Sequence, residues 1–329
     1  MKTYRRVRII ELVDGYIASR SQARSSTQIY YAYLRELIAK SSIADAKAMS
    51  FSMSQAKDWI RDFQCEKGFS FSQMSSLQSV LKLSFQPLED DGAITRNPFK
   101  FKLCGVIRKD AEKRGALTPA QEKSFMDFVK NDSHYRAYYD AFFILLNTGL
   151  RISEFAGLTL SDIDLTVPCV HVDHQLQRRG KAFIVEPTKT GCGTRTLPLT
   201  EETARAFKRL IAARRSPVSE PVIGGLQGFL CLTDAGVPCT ASNWEHRLRG
   251  AVSRYNATHP RPLPNITPHV FRHTYCSRMA RSGMNPKTLQ YLMGHSSISV
   301  TLDIYTHLSP DDIQTEVLRC AGLDSSQNC

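Results

Sequence analysis

Apolar residues recur at three- and four-residue steps over most of this 329-residue chain, and short strand-like runs appear between residues 169 and 199. That periodicity constrains the fold most, because one buried stripe every 3.6 residues makes a helix and period two makes a strand. Ile29, Tyr30, Tyr33, Leu34, Leu37 and Ile38 mark one helix face, with a shorter patterned stretch at 12–18 before it. Residues 54–63 read as a further helix with Ser54 as N-cap, and 70–84 as another with Met74, Leu77, Val80 and Leu81 inward. The first hundred residues are therefore expected to form a small helical bundle. Pattern alone fits a plain helical scaffold as well as a DNA clamp.

The pattern breaks at Ile94-Thr95-Arg96-Asn97-Pro98-Phe99, where Pro98 disfavours helix at Asn97. Lys100, Lys102, Arg108, Lys109 and Lys113 follow, charges that suit a strap along a phosphate backbone as well as a solvated linker. A helical domain over 1–98, a basic linker over 99–116 and a second domain over 117–329 are expected. Thr118 and Pro119 form an N-cap and first helical residue, with Phe125, Phe128 and Val129 on one face. Residues 135–147 read as a long buried helix. Strand-like runs at 169–176, 182–186 and 195–199, separated by glycine and polar residues, suggest a three-stranded antiparallel meander. Helical pattern resumes at Thr200, broken by a Gly/Pro-rich segment at 216–228. The fold class is mainly α with a small antiparallel β-sheet.

Composition narrows the function. No apolar run approaches the roughly 20 residues of a membrane span, and no apolar signal core follows the basic N-terminus, so a cytoplasmic address is the expectation. Nine cysteines without a Cys-x-x-Cys pair argue for reduced thiols, and a zinc site from Cys192, Cys231 and Cys239 fits no metal spacing. A net charge of +12 points to a polyanionic partner, nucleic acid above all.

Four local features carry chemistry: Thr148-Gly149-Leu150-Arg151-Ile152-Ser153-Glu154; Pro187-Thr188-Lys189-Thr190; Thr267-Pro268-His269-Val270-Phe271-Arg272-His273-Thr274; and Leu292-Met293-Gly294-His295-Ser296-Ser297, with Tyr305 ten residues beyond His295. Arginine presents a planar fork that matches phosphate oxygens bidentately. His269 and Arg272, at i and i+3, share a helix face and can converge on one phosphate. Taken singly, each has a plainer reading: Arg151 as a helix cap, Arg272 as a salt-bridge partner of Glu154, Tyr305 as a core residue. Taken together and in this order, they resemble the tyrosine recombinase (phage integrase) family, over roughly residues 115–320. The motifs Leu-Thr-Pro-Ala-Gln, Pro-Thr-Lys-Thr and Gly-His-Ser-Ser look most like integrases of conjugative transposons.

The resemblance implies a helical core-binding domain followed by a mixed α/β catalytic domain, cutting and rejoining double-stranded DNA at recombination sites through a 3′-phosphotyrosine and a Holliday junction. It implies Tyr305 as nucleophile, Arg151 and Arg272 on the phosphate oxygens, His269 as general base, His295 as a donor to phosphate and Lys189 as general acid. Lys100, Lys102, Arg108 and Lys109 are candidate DNA contacts. No metal or cofactor is implied. The partners implied are DNA, accessory DNA-bending factors and further copies of the chain, docked through the C-terminal tail as a dimer to tetramer, in a bacterial, nucleoid-associated setting. Many such integrases carry an arm-binding domain ahead of the helical half, and the helical pattern here starts almost at Met1, so a simpler branch or a shortened chain is expected. Two rivals stand beside it: a type IB topoisomerase, which shares the same catalytic residues and is disfavoured by chain size and the compact His295–Tyr305 spacing, and a DNA-binding regulator that uses the basic helical half without catalysis, disfavoured because no catalytic position is substituted.

Overall fold

The structure is a computed structural model and describes residues 4–109, 115–188, 191–214 and 219–305. The chain divides into two compact units, Met1–Lys113 and Arg114–Cys329.

The first unit is built on four helices: α1 (Ile9–Ser19), α2 (Ser25–Ala39), α3 (Met53–Lys67) and α4 (Phe71–Asp90). Ser52, not Ser54, caps α3: its side chain accepts from Gln55 N–H while the Gln55 side chain accepts from Ser52 N–H. That reciprocal pair satisfies two donors that a helix start leaves open. Ser70 and Gln73 do the same for α4, which runs on past residue 84 and through Pro87 before ending. Ile9, Val13, Ile38, Ile60, Phe63, Met74, Leu81 and Phe85 form the core.

The segment expected to begin a linker belongs to this unit. Phe99, Leu103 and Ile107 are buried in its core. The Gln78 amide donates to the carbonyls of Phe99 and Phe101 at 3.0 Å each, and fully buried Asn97 donates to Lys82 O at 2.8 Å. The charges that made this stretch look like linker sit between apolar residues that anchor it.

The second unit opens with α5 (Pro119–Asn131), capped by Thr118 and Gln121 as the sequence indicates, then α6 (Tyr139–Thr148) and α7 (Ile152–Gly157). Five short strands follow: β1 (Ile163–Asp164), β2 (Cys169–Val172), β3 (His174–Arg179), β4 (Ala182–Pro187) and β5 (Arg195–Pro198). They do not form the expected meander. The run at 169–176 breaks at Asp173: β2 pairs with β1 and β5, whereas β3 and β4 form a separate antiparallel hairpin. Thr188 N–H donates to Asp173 O at 3.1 Å, closing the hairpin at its base, so the chain re-enters the first sheet only at β5. Helices α8 (Glu201–Ala212), α9 (Ala241–Thr258), α10 (Pro268–Arg281), α11 (Pro286–Met293) and α12 (Ile298–Tyr305) complete the unit. Its core centres on Phe125, Phe142, Phe155, Trp244 and Phe271, whose rings meet edge-on or tilted. Burying a phenylalanine contributes roughly 1.5–3 kcal/mol, so this cluster makes a rigid platform under α6 and α10. Among the described residues, no helix is long and apolar enough to cross a membrane.

Candidate active site

Two helix ends make the frame. Helix α6 stops at Gly149, whose φ of 63° lies in the left-handed region. A Cβ on Gly149 would fall 2.5 Å from Tyr275 Cδ1, so conformation and space both call for glycine. The turn presents Gly149 O to Arg272 Nη1, which donates at 2.6 Å. Arg151 then takes the N-cap position of α7. Its N–H donates to Glu154 Oε2 at 2.9 Å and its Nη1 to Glu154 Oε1 at 2.7 Å.

The second frame is the C-terminus of α11. Asn285 caps the helix start, accepting from Lys287 N–H at 2.9 Å and Thr288 N–H at 3.4 Å, and Gly294, at φ 58°, ends it. The last carbonyls of a helix have no partner within it and carry the negative end of its dipole. Here three successive carbonyls are taken by three guanidinium groups. Leu292 O accepts from Arg195 Nε at 2.7 Å, Met293 O from Arg272 Nη2, and Gly294 O from Arg151 Nη2 at 2.7 Å. Arg195 also donates to Gly193 O at 2.8 Å and to both oxygens of Glu154. The side chains of Arg195 and Glu154 are 0% and 2% exposed, and that of Arg151 is 32% exposed.

One carboxylate thus serves two of three arginines. Burial pushes the Glu154 carboxyl up, but hydrogen bonds and charge from Arg195 and Arg151 outweigh it and hold the group below its usual value. Burial presses Arg272 down to about 9, helped by Arg151 and Arg195 and opposed by Glu154. The guanidinium stays charged at neutral pH, and after burial its two neighbouring arginines press it the same way. The same holds at His295: burial first, then Arg272, Arg151, Arg195 and His269 lower it to about 4. Its Nδ1 lies 2.9 Å from Thr301 Oγ1 on α12, where Thr301 is fully buried. Three guanidinium groups against one carboxylate leave the site with a surplus of positive charge.

Arg151, Arg272 and His295, singled out in the sequence, are brought together. His269 lies exposed in the first turn of α10 and is among the groups that lower His295. Thr267 caps that helix with Pro268 first, as the sequence indicates. Tyr305, at the end of α12, packs against Tyr275, Cys276, Ala280, Leu289 and Met293, and its hydroxyl donates to Met284 O in the turn before α11. Lys189 lies outside the described residues, as does the C-terminal tail. Lys100, Lys102, Arg108 and Lys109 are exposed in the first unit, with Lys100 paired to Glu89 at 3.1 Å. Arg195 was missed, although Arg195 and Leu197 share the inward face of β5. An arginine on the buried side of a two-residue alternation was the available signal. Asp162, Asp173 and His174 also gather within 4.8 Å, but the His174 ring is already engaged with Gly157 O and Asp173.

Residues 116–311 match the model of the phage integrase family. The chain belongs to that family. It is 37% identical over 317 residues to the transposase from transposon Tn916 of Enterococcus faecalis, covering 96% of this chain and 78% of that protein. It is 28% identical over 251 residues to the tyrosine recombinase XerC of Herpetosiphon aurantiacus, covering 76% of this chain and 73% of that protein. A solved structure of the Tn1549 transposon integrase, in complex with a circular intermediate DNA, superposes with a TM-score of 0.89 at 37% identity, covering 95% of this chain and 99% of that one. The resemblance to transposon integrases read from the motifs holds, and so does the mainly helical fold class.

Proposed function

We propose that the cluster of Arg151, Arg272 and His295 binds the scissile phosphate of a recombination site and that Tyr305 attacks it. The protein is a tyrosine recombinase, a site-specific enzyme that cleaves and rejoins DNA in integration and excision of a mobile element. The observation that carries the residue-level reading is the charge surplus: three guanidinium groups on one helix terminus against the one carboxylate of Glu154. A phosphodiester brings negative charge to that surplus, and the cations left over stabilise the further charge that develops in its transition state.

In this reading the Tyr305 hydroxyl leaves Met284 O and attacks phosphorus as its proton passes to His269. The bond from phosphorus to the 5′-oxygen breaks, and Lys189 protonates the departing oxygen. A 3′-phosphotyrosine remains, which a 5′-hydroxyl from the partner strand reopens by the reverse steps. His295 is neutral at pH 7 on the value above. With Nδ1 accepting from the Thr301 hydroxyl, Nε2 holds the hydrogen and donates it to a non-bridging oxygen. The guanidinium groups do here what a metal ion does in other phosphoryl transfers. The ester linkage is conserved at each step, so rejoining needs no nucleotide.

Duplex DNA is the partner of the reading, with Lys102, Arg108 and Lys109 as backbone contacts on the first unit. Exchange between two duplexes needs four cleavages, one per tyrosine, which favours a tetramer joined through the segment after Tyr305. A cytoplasmic, nucleoid-associated address goes with it. The test is covalent capture on a nicked suicide duplex drawn from the DNA bordering the chain's own gene. Wild-type protein should form a denaturation-resistant adduct, and Tyr305→Phe should bind the duplex equally and form none. An adduct persisting in Tyr305→Phe would remove Tyr305 as nucleophile.

A further inference from the structure

We infer that Arg195 is a positioning residue for this site, setting the register of the phosphate-binding groups without touching DNA. The inference rests on the reading of the site given above. Its side chain is fully buried, and all three guanidinium nitrogens are committed: Nε to Leu292 O, Nη1 to Gly193 O and Glu154 Oε1, Nη2 to Glu154 Oε2. Those four bonds reach three segments. Gly193 ends the short 3₁₀ turn Gly191–Gly193 that leads into β5. Leu292 precedes the two carbonyls that hold Arg272 and Arg151, and the His295 that follows them. Glu154 is the carboxylate that orients Arg151.

The geometry leaves little slack. A Cβ on Gly294 would lie 3.1 Å from Arg195 Nη1 and 3.3 Å from Arg151 Nη1, so both guanidinium groups press on the same turn. Strand β5 is tied to α11 a second time, by Thr196 N–H donating to the Tyr291 hydroxyl at 3.1 Å. Moving Arg195 therefore moves the Gly191–Gly193 turn and the α11 terminus relative to each other. A lysine would keep the charge, but its single nitrogen cannot span the same three acceptors in one plane. A buried ion pair is weak evidence for stability alone, since apolar replacements of such pairs are often tolerated. What an apolar pair cannot do is hold two neighbouring segments and a catalytic arginine in one register.

The experiment compares wild type, Arg195→Lys, Arg195→Met and Tyr305→Phe as full chains on the nicked duplex described above. It follows thermal unfolding, equilibrium DNA affinity, and single-turnover adduct formation across pH 4–8. Arg195→Lys should unfold cooperatively and bind DNA within about threefold of wild type, while adduct formation falls about 100-fold, the cost of a displacement near 1 Å. Its acid limb should stay where the wild type has it, because the charge near His295 is kept. Arg195→Met removes a cation that holds His295 down, so its acid limb should move to higher pH. A folded Arg195→Lys or Arg195→Met that forms adduct within about threefold of wild type would overturn the inference. So would loss of cooperative unfolding in Arg195→Lys in proportion to lost adduct, which would make the role purely structural. Adduct surviving in Tyr305→Phe would overturn the reading of the nucleophile instead, so the two failures are told apart.

Discussion

Gly149 and Gly294 share a backbone conformation but differ in their surroundings, and their alanine variants should part accordingly. At Gly149 the new Cβ meets the Tyr275 ring at 2.5 Å on a helix packed into the core, so Gly149→Ala should lose stability outright. The left-handed backbone alone costs about 1–3 kcal/mol for a residue with a side chain, and denaturant unfolding should show at least that. At Gly294 the new atom meets Arg195 Nη1 and the Cys192 carbonyl oxygen at 3.1 Å and Arg151 Nη1 at 3.3 Å, groups that belong to the site itself. Gly294→Ala should therefore lose adduct formation as well as stability, because the groups displaced are the guanidinium anchors. His295 makes a third case. Its folded value of about 4 lies below the usual 6.5, so the fold favours the neutral ring and the unfolded chain binds the proton first. The contribution is complete above pH 6.5 and is lost as pH falls through about 4. Thermal unfolding across that range should flatten in His295→Gln. Arg151 and His295 were legible because they stand next to glycine turns, and Arg272 because it follows His269 by three residues on one helix face. Arg195 was not, because a strand arginine looks solvent-facing until the inward register of β5 is fixed by Leu197 and its pairing with β2.

Helix ends, more than helix bodies, determine this site. The carbonyls that hold the three arginines sit at the end of an eight-residue helix, too short to persist without its caps and packing. Asn285→Ala should cost about 1 kcal/mol. It should also reduce adduct formation more than a cap on α5 would, since fraying α11 loosens the guanidinium anchors. Thr118→Ala, on α5, is the matched control, measured by the same unfolding and capture assays. Caps were also what the sequence displayed best: Thr118 and Thr267 stand where the pattern puts the helix starts, Ser70 caps the helix it was read as opening, and Ser52 displaced Ser54 because Gln55 completes its capping box. The sheet was less readable. A strand pattern specifies which face is buried but not which run pairs with which. The break at Asp173 depends on a backbone bond from Thr188, fifteen residues on, which no local pattern encodes.

The two units have separate cores with no residue in common, so unfolding need not be a single step. Calorimetry should resolve two transitions, and Gly149→Ala should lower only the one belonging to the second unit. With a net charge of +12, binding to any duplex should weaken steeply as salt rises, because each phosphate contact releases bound counterions. The surplus charge at the α11 terminus adds a consequence of another kind. A helix terminus that gathers three guanidinium groups and one carboxylate is a latent receptor for small oxyanions. Any anion that binds only the folded form raises stability in proportion to its saturation, about 2.7 kcal/mol at a hundred times its dissociation constant. Sulfate should therefore protect the second unit against heat while it competes with DNA, whereas chloride at equal ionic strength should weaken DNA binding without that protection. The same solution would make the enzyme hardier and idler at once.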